Sequence, residues 1–193
     1  MKNTDDLPII PFETQHAWEA WLEERHADAL GIWLKIAKKE TGVPSVTYAE
    51  AVESALCYGW IDGQKAAFDD RYWLQRFTPR RPKSIWSRVN RDKAMALIAE
   101  GRMQPAGLRH VDLAKGDGRW EAAYAPQRTI TVPDDFAHAL DENPKAKEFF
   151  EMLDSRNRYA ILFQIETAKR SETRASRIAK FTEMLSIGEK LYP

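Results

Sequence analysis

The chain has a single cysteine, Cys57, in 193 residues, so no internal disulfide can form and no multi-cysteine zinc site can assemble. Long hydrophobic runs are lacking too: stretches such as Tyr159 to Phe163 reach about five residues, against the roughly 20 that a membrane-spanning helix requires. The first residues, Met1 to Pro8, carry acids where a secretion signal needs an apolar stretch. These features point to a cytoplasmic protein with no membrane insertion. The four histidines, His16, His26, His110 and His138, are scattered and make no HExxH or similar ligand set. GxGxxG, GxxxxGK[ST] and GxSxG are likewise missing, which removes sequence support for dinucleotide, P-loop and hydrolase-elbow readings. The expectation is no cofactor and no metal.

What is present is an ordinary globular composition, 44% hydrophobic and 30% charged, with a net charge of zero that hides a sharp asymmetry. Residues 1–70 hold 13 acids against 6 Lys/Arg, whereas residues 71–93 hold 8 Lys/Arg against Asp92 alone. That basic segment can attract an anion or complement the acidic part.

Apolar periodicity and cap residues give the organisation. Thr14 caps a helix carrying Ala17, Trp18, Trp21 and Leu22 that ends near Ala27 or Ala29. Residues 32–37 form a strand. Thr47 to Glu50 is a capping box opening a helix that Gly59 closes as its left-handed residue. Trp60 to Ala66 and Arg71 to Phe77 are two strands joined around Phe68-Asp69-Asp70. Thr78 to Lys83 is irregular, because two prolines bracket the arginines. Helices follow from Ser84 or Ser87 and from Pro105. Residues 121–134 form an extended connector, and 135–193 a helical module with starts at Asn143-Pro144, at Ser155 or Asn157, and after Ser171. The fold class is α+β: a small, mostly antiparallel sheet with flanking helices over 1–120, followed by the C-terminal helical segment.

Cys57 lies in the last turn of its helix, where exposed carbonyls oppose a thiolate, so it reads as a buried apolar residue. The sharpest feature is the interleaving of Arg71, Arg76, Arg80, Arg81, Lys83, Arg88 and Arg91 with Tyr72, Trp73, Phe77 and Trp86. Arginine forks match phosphate or carboxylate oxygens, and aromatic faces cap planar ligands. The competing reading is aromatics packed in a hairpin and solvated or paired arginines. Asp62 beside Gly63 is the candidate functional carboxylate, since a bulge there re-aims a side chain; it can equally cap a turn or pair with Arg76 or Arg80. On the last helix Arg174 and Arg177 project together.

The blocks YAEAVESALCYGWIDGQ, RYWLQRFTPRRPKSIWSRVN, LIAEGRMQPAG and IETAKRSETRASRIAKFTEMLSIG together resemble the YdeI/OmpD-associated, or bacteriocin-protection, family over nearly the whole chain. The resemblance implies signature positions at Trp60, Asp62, Gly63, Thr78, Pro79, Arg80, Trp86, Ser87 and Asn90. In the helical module it implies Ala168-Lys169, Thr173-Arg174 and Arg177-Ile178. It implies no reaction.

The leading expectation is a non-enzymatic binding or stress-protection module whose basic, aromatic groove takes a small anionic ligand or a protein partner. Arg76, Arg80, Arg81, Arg174 and Arg177 would supply cations, Trp60 and Trp86 walls, and Asp62 and Asn90 support. The alternatives are an enzyme using Asp62 as general base with the arginines as oxyanion donors, and a nucleic-acid-binding protein, which a sequence pI near 6.9 disfavours.

Overall fold

The computed structural model describes residues 7–193, which divide into two compact units. The first comprises residues up to Trp86 together with Asn90–Glu121; the second comprises Ser87–Val89 and Ala122–Pro193.

The first unit is built on a four-stranded sheet in the order β1 (Ile9–Pro11), β2 (Ile32–Ala37), β4 (Tyr72–Pro79), β3 (Trp60–Ala67). β1 runs parallel to β2, and the other two pairings are antiparallel. The sheet is thus mixed, and the three-residue β1 is too short to announce itself by alternation. β4 also runs two residues further than the prolines imply. β2 has ended opposite Phe77, so Pro79 has no β2 partner needing its N–H.

Strand alternation sorts the two faces. Ile32, Leu34 and Ile36 of β2, with Trp60 and Phe77, point to one side and are buried. Helices α1 (Gln15–Arg25) and α2 (Tyr48–Cys57) cover that side with Trp18, Leu22, Val52, Ala55 and Leu56. Trp18 meets Phe77 with ring centroids 5.7 Å apart, and its Nε1 donates to the Ala51 carbonyl at 3.1 Å. α1 starts where Thr14 accepts from the Ala17 N–H, and α2 where Thr47 and Glu50 exchange hydrogen bonds. The other side carries Trp33 and Lys35 of β2 with Tyr72, Leu74, Arg76 and Thr78 of β4. The hairpin closes through Asp69, whose carboxylate accepts from the Arg71 and Tyr72 N–H groups at 2.8 and 2.7 Å.

Helices α3 (Arg88–Ala99) and α4 (Pro105–Gly116) follow. Pro105 sits at the start of α4, where its missing N–H costs nothing. Gly107 lets α4 approach the end of α2: a Cβ there would stand 2.3 Å from the Cys57 carbonyl oxygen. Gly59, at φ +74°, turns the chain out of α2 and into β3.

The second unit contains α5 (Asp134–Asp141), α6 (Pro144–Met152), α7 (Ser155–Glu166) and α8 (Ser171–Ser186) around Phe136, Leu140, Phe150, Ile161, Leu162, Ile165, Phe181 and Leu185. Asn143 caps α6, and Asp154 caps α7, which begins at the expected Ser155. Among the described residues no helix is long and apolar enough to cross a membrane.

The close approach at Gly107 predicts that Gly107→Ala, although it favours helix, destabilises the protein by about 3 kcal/mol through overpacking against backbone. Chemical denaturation of the two proteins measures this.

Candidate functional site

β3 is interrupted where Gly63 and Gln64 together oppose Arg76, a bulge lying between the pairs Asp62↔Phe77 and Lys65↔Gln75. The buried Gln75 amide donates to the Gly63 and Gln64 carbonyls at 2.9 and 3.2 Å, holding the bulge open. Ahead of the bulge, Asp62 shares the helix-covered side with Phe77 and accepts from the Tyr48 hydroxyl at 2.7 Å. Arg76 is on the other side. The expected meeting of Asp62 with the arginines therefore does not occur in the strand: their residues alternate in opposite phase.

The arginine pair after β4 divides its labour. Arg80 is buried at 4% exposure; its backbone N–H reaches the Gly59 carbonyl, and its guanidinium lies 3.7 Å above the Trp86 ring and donates to the Ile85 carbonyl at 2.9 Å. Arg119, which sequence reasoning missed, is also buried: it grips Asp117 and donates to the Ser84 carbonyl at 2.6 Å. Trp86 packs edge-on against Trp120, and Trp60 is in the core with its Nε1 donating to the His26 carbonyl. These tryptophans are core rather than walls of a ligand groove. Burial, followed by the charges of Arg80, Arg109 and Arg119, lowers the pKa of His110 from its ordinary value, favouring the neutral imidazole.

Arg81 is exposed. Ser84 closes a turn with it, accepting from the Arg81 N–H at 3.1 Å and donating its own N–H to the Arg81 carbonyl at 2.9 Å. Arg81 and Ser84 line a groove of about 980 Å³ with Arg76, Thr78 and Pro79 of β4, Ile61, Gly63 and Gln64 of β3, and the Ala27 to Leu30 segment after α1. Arg76 is poorly satisfied there: its Nε is shielded from solvent with no acceptor, and its Nη1 meets the Gln64 side chain at 3.5 Å, the outer limit of a hydrogen bond. Asp28 is the acid on the rim. The groove thus combines two of the expected cations, Arg76 and Arg81, with hydroxyl and amide groups. Asn90, half-buried in α3, is not on its lining.

In the second unit, Arg174 grips both oxygens of Asp135 at 2.5 and 2.8 Å and donates to the Ile165 carbonyl; Arg177 donates to the Gln164 carbonyl. Those carbonyls belong to the last turn of α7, so the two arginines cap the negative end of that helix. A cavity of about 780 Å³ is lined by residues of α5 and α8, including Arg174, whose fork Asp135 already occupies.

Residues 10–110, just over half of the chain, match the family model described as a domain of unknown function, DUF8412. The chain belongs to that family. Residues 129–188 match a second model, described as Bacteriocin-protection, YdeI or OmpD-Associated. The resemblance read from the sequence thus holds for the C-terminal segment, whereas the part of the chain bearing the groove falls under DUF8412. No curated protein and no solved structure gives a significant match.

Within the DUF8412 segment, Cys57 is buried, and that burial pushes its thiol up to about 11. Among the described residues no group of three or more His, Cys, Asp or Glu could hold a metal ion. In the YdeI/OmpD-associated segment, the hydrogen bonds from Arg174 hold Asp135 below its ordinary carboxylate value.

Two outcomes follow from these environments. Thiol-reactive dye at pH 8 leaves native Cys57 unmodified and labels it on unfolding, because burial blocks access and keeps the thiolate fraction low. Asp135→Asn lowers the melting temperature at neutral pH; because the folded-state pKa of Asp135 is depressed, the wild-type advantage is full above the unfolded carboxylate value and disappears as pH falls through the folded one.

Proposed function

We propose that the protein is a binding module that takes an anionic group, phosphate or carboxylate, in the groove between the β3 bulge and the Arg81 turn. The observation that carries this reading is the state of Arg76. A buried guanidinium donor without an acceptor, on the wall of a cavity, is a group awaiting one. Arg81 adds a second fork whose backbone is fixed by Ser84, and Thr78, Ser84 and Gln64 add neutral donors.

Electrostatics favour the same reading. Two acids of α1 and α2 are engaged elsewhere: Glu53 pairs with Lys93 at 2.7 Å, and Arg102 lies 3.5 and 3.8 Å from Glu19 and Glu53. Asp28 remains on the rim and would favour a ligand with a hydrogen-bond donor beside its anionic group. Asp62, the base nominated for an enzyme, is off the lining, which weighs for binding over catalysis. The cytoplasmic location expected from the sequence goes with this proposal.

Isothermal titration with inorganic phosphate and pyrophosphate tests it. Arg76→Ala and Arg81→Ala each weaken the wild-type affinity about 10-fold or more, the worth of one charge-assisted hydrogen bond. A double variant that titrates like the wild type rejects the groove.

A further inference from the structure

The side of the sheet turned away from α1 and α2 has a composition that the groove alone does not use. Its outward positions include Trp33 and Lys35 in β2 and Tyr72 and Arg76 in β4, and none of the outward positions in the four strands is a carboxylate. Of the nearby acids, Asp62 is on the helix-covered side, Asp69 in the hairpin turn, Glu19 and Glu53 against Arg102 and Lys93, and Asp28 at the rim of the groove. A chain of zero net charge therefore presents one locally cationic, aromatic face.

The register sets the spacing of that face. Trp33 is the direct cross-strand partner of Arg76, which also lines the groove. Tyr72 pairs with Ala37, four positions along β2 from Trp33, a displacement of about 13 Å at roughly 3.3 Å per residue. At that second station the Lys35 ammonium lies 4.0 Å from the Tyr72 ring centre and 4.6 Å from that of Phe68, and Phe68 is 45% exposed. Two part-exposed aromatic stations, each with a cation beside it and with the buried Leu74 between them, thus lie along one face of the sheet that leads into the arginine-lined groove. Stacking platforms for unpaired bases combine aromatic faces with a basic track for the phosphates in this way.

We infer that the anion taken by the groove is the phosphate backbone of a short single strand of nucleic acid, whose bases stack on Trp33 and Tyr72 of the open sheet face. The inference rests on the groove reading and specifies its ligand. It commits to a single strand because a duplex hides the base faces that the aromatics would meet.

Fluorescence anisotropy of the full chain with labelled single strands of about ten nucleotides, within known site sizes for such platforms, tests it alongside the same sequence as a duplex and a phosphate titration. The single strand binds at least 10-fold more tightly than the duplex. With Lys35, Arg76, Arg81 and Arg71, whose guanidinium lies 6.0 Å from the Tyr72 ring centre, as contacts, its affinity falls about 50-fold between 50 and 200 mM salt. Trp33→Leu and Tyr72→Leu weaken it about 10-fold each, the scale of one lost stack. Lys35→Glu, a surface change that leaves the core alone, also weakens it. Single-strand binding unaltered by these three substitutions overturns the inference. So does a protein that takes phosphate through Arg76 and Arg81 but no single strand, a result that leaves the groove reading standing. Phosphate binding indifferent to both arginines removes the groove reading and this inference with it.

Discussion

A cation laid on an aromatic ring inside the first unit sets the rest of the site. Arg80 spends its guanidinium on the Trp86 face and the Ile85 carbonyl, while its backbone N–H is tied to the residue that ends α2. Arg119 does the matching work on Ser84 from the far end of α4. Burying a guanidinium is costly unless its donors are met. Here the Ile85 carbonyl and the Trp86 indole face receive the Arg80 guanidinium, and the Ser84 carbonyl and the Asp117 carboxylate receive that of Arg119. The loop between β4 and α3 is consequently a fixed wall with no regular secondary structure, and the exposed Arg81 is a fork on a braced turn instead of a loose surface cation.

Charge segregation is the second constraint. Net neutrality over the chain says little about local field, because Glu19 of α1 and Glu53 of α2 are partnered by Lys93 and Arg102 from α3 and the turn after it. That pairing leaves the open sheet face and the groove dominated by Lys35, Arg76 and Arg81. In the YdeI/OmpD-associated segment the same residue type serves architecture: Arg174 and Arg177 close the carboxyl end of α7 and tie α8 to α5 through Asp135. Arginines that look alike along the chain thus divide into braces and available forks.

Local features were legible in the sequence because their causes are local. The Thr47–Glu50 box, the Gly59 stop, the Asn143-Pro144 start and the Asp69 hairpin each depend on a few adjacent residues, and each appears where the pattern puts it. The α+β class followed from them. Strand β1 was not legible, since three residues carry no periodicity and its parallel pairing with β2 is purely tertiary. The site was legible only as a segment. Nothing in Pro79-Arg80-Arg81-Pro82 says which arginine turns inward, because that is decided by Trp86 and by the Gly59 carbonyl, residues brought together by folding. For Asp62, alternation from Trp60 puts it on the same side as Phe77, and the bulge at Gly63 reverses the phase only after it. Arg119 and Gln75 gave no signal, as an isolated arginine in a loop and a polar residue in a strand are ordinary until burial is known.

The division between bracing and available arginine is the claim on which the groove depends, and side-by-side unfolding of Arg80→Met and Arg81→Met tests it most directly. Methionine keeps much of the side-chain volume and removes the charge and its donors. Arg80→Met is predicted to lose about 3 kcal/mol, in the range for breaking a buried charged contact. Arg81→Met is predicted to stay within about 0.5 kcal/mol of the wild type, as an exposed residue away from the core does. Equal losses for the two variants, or a larger loss for Arg81→Met, would contradict the account.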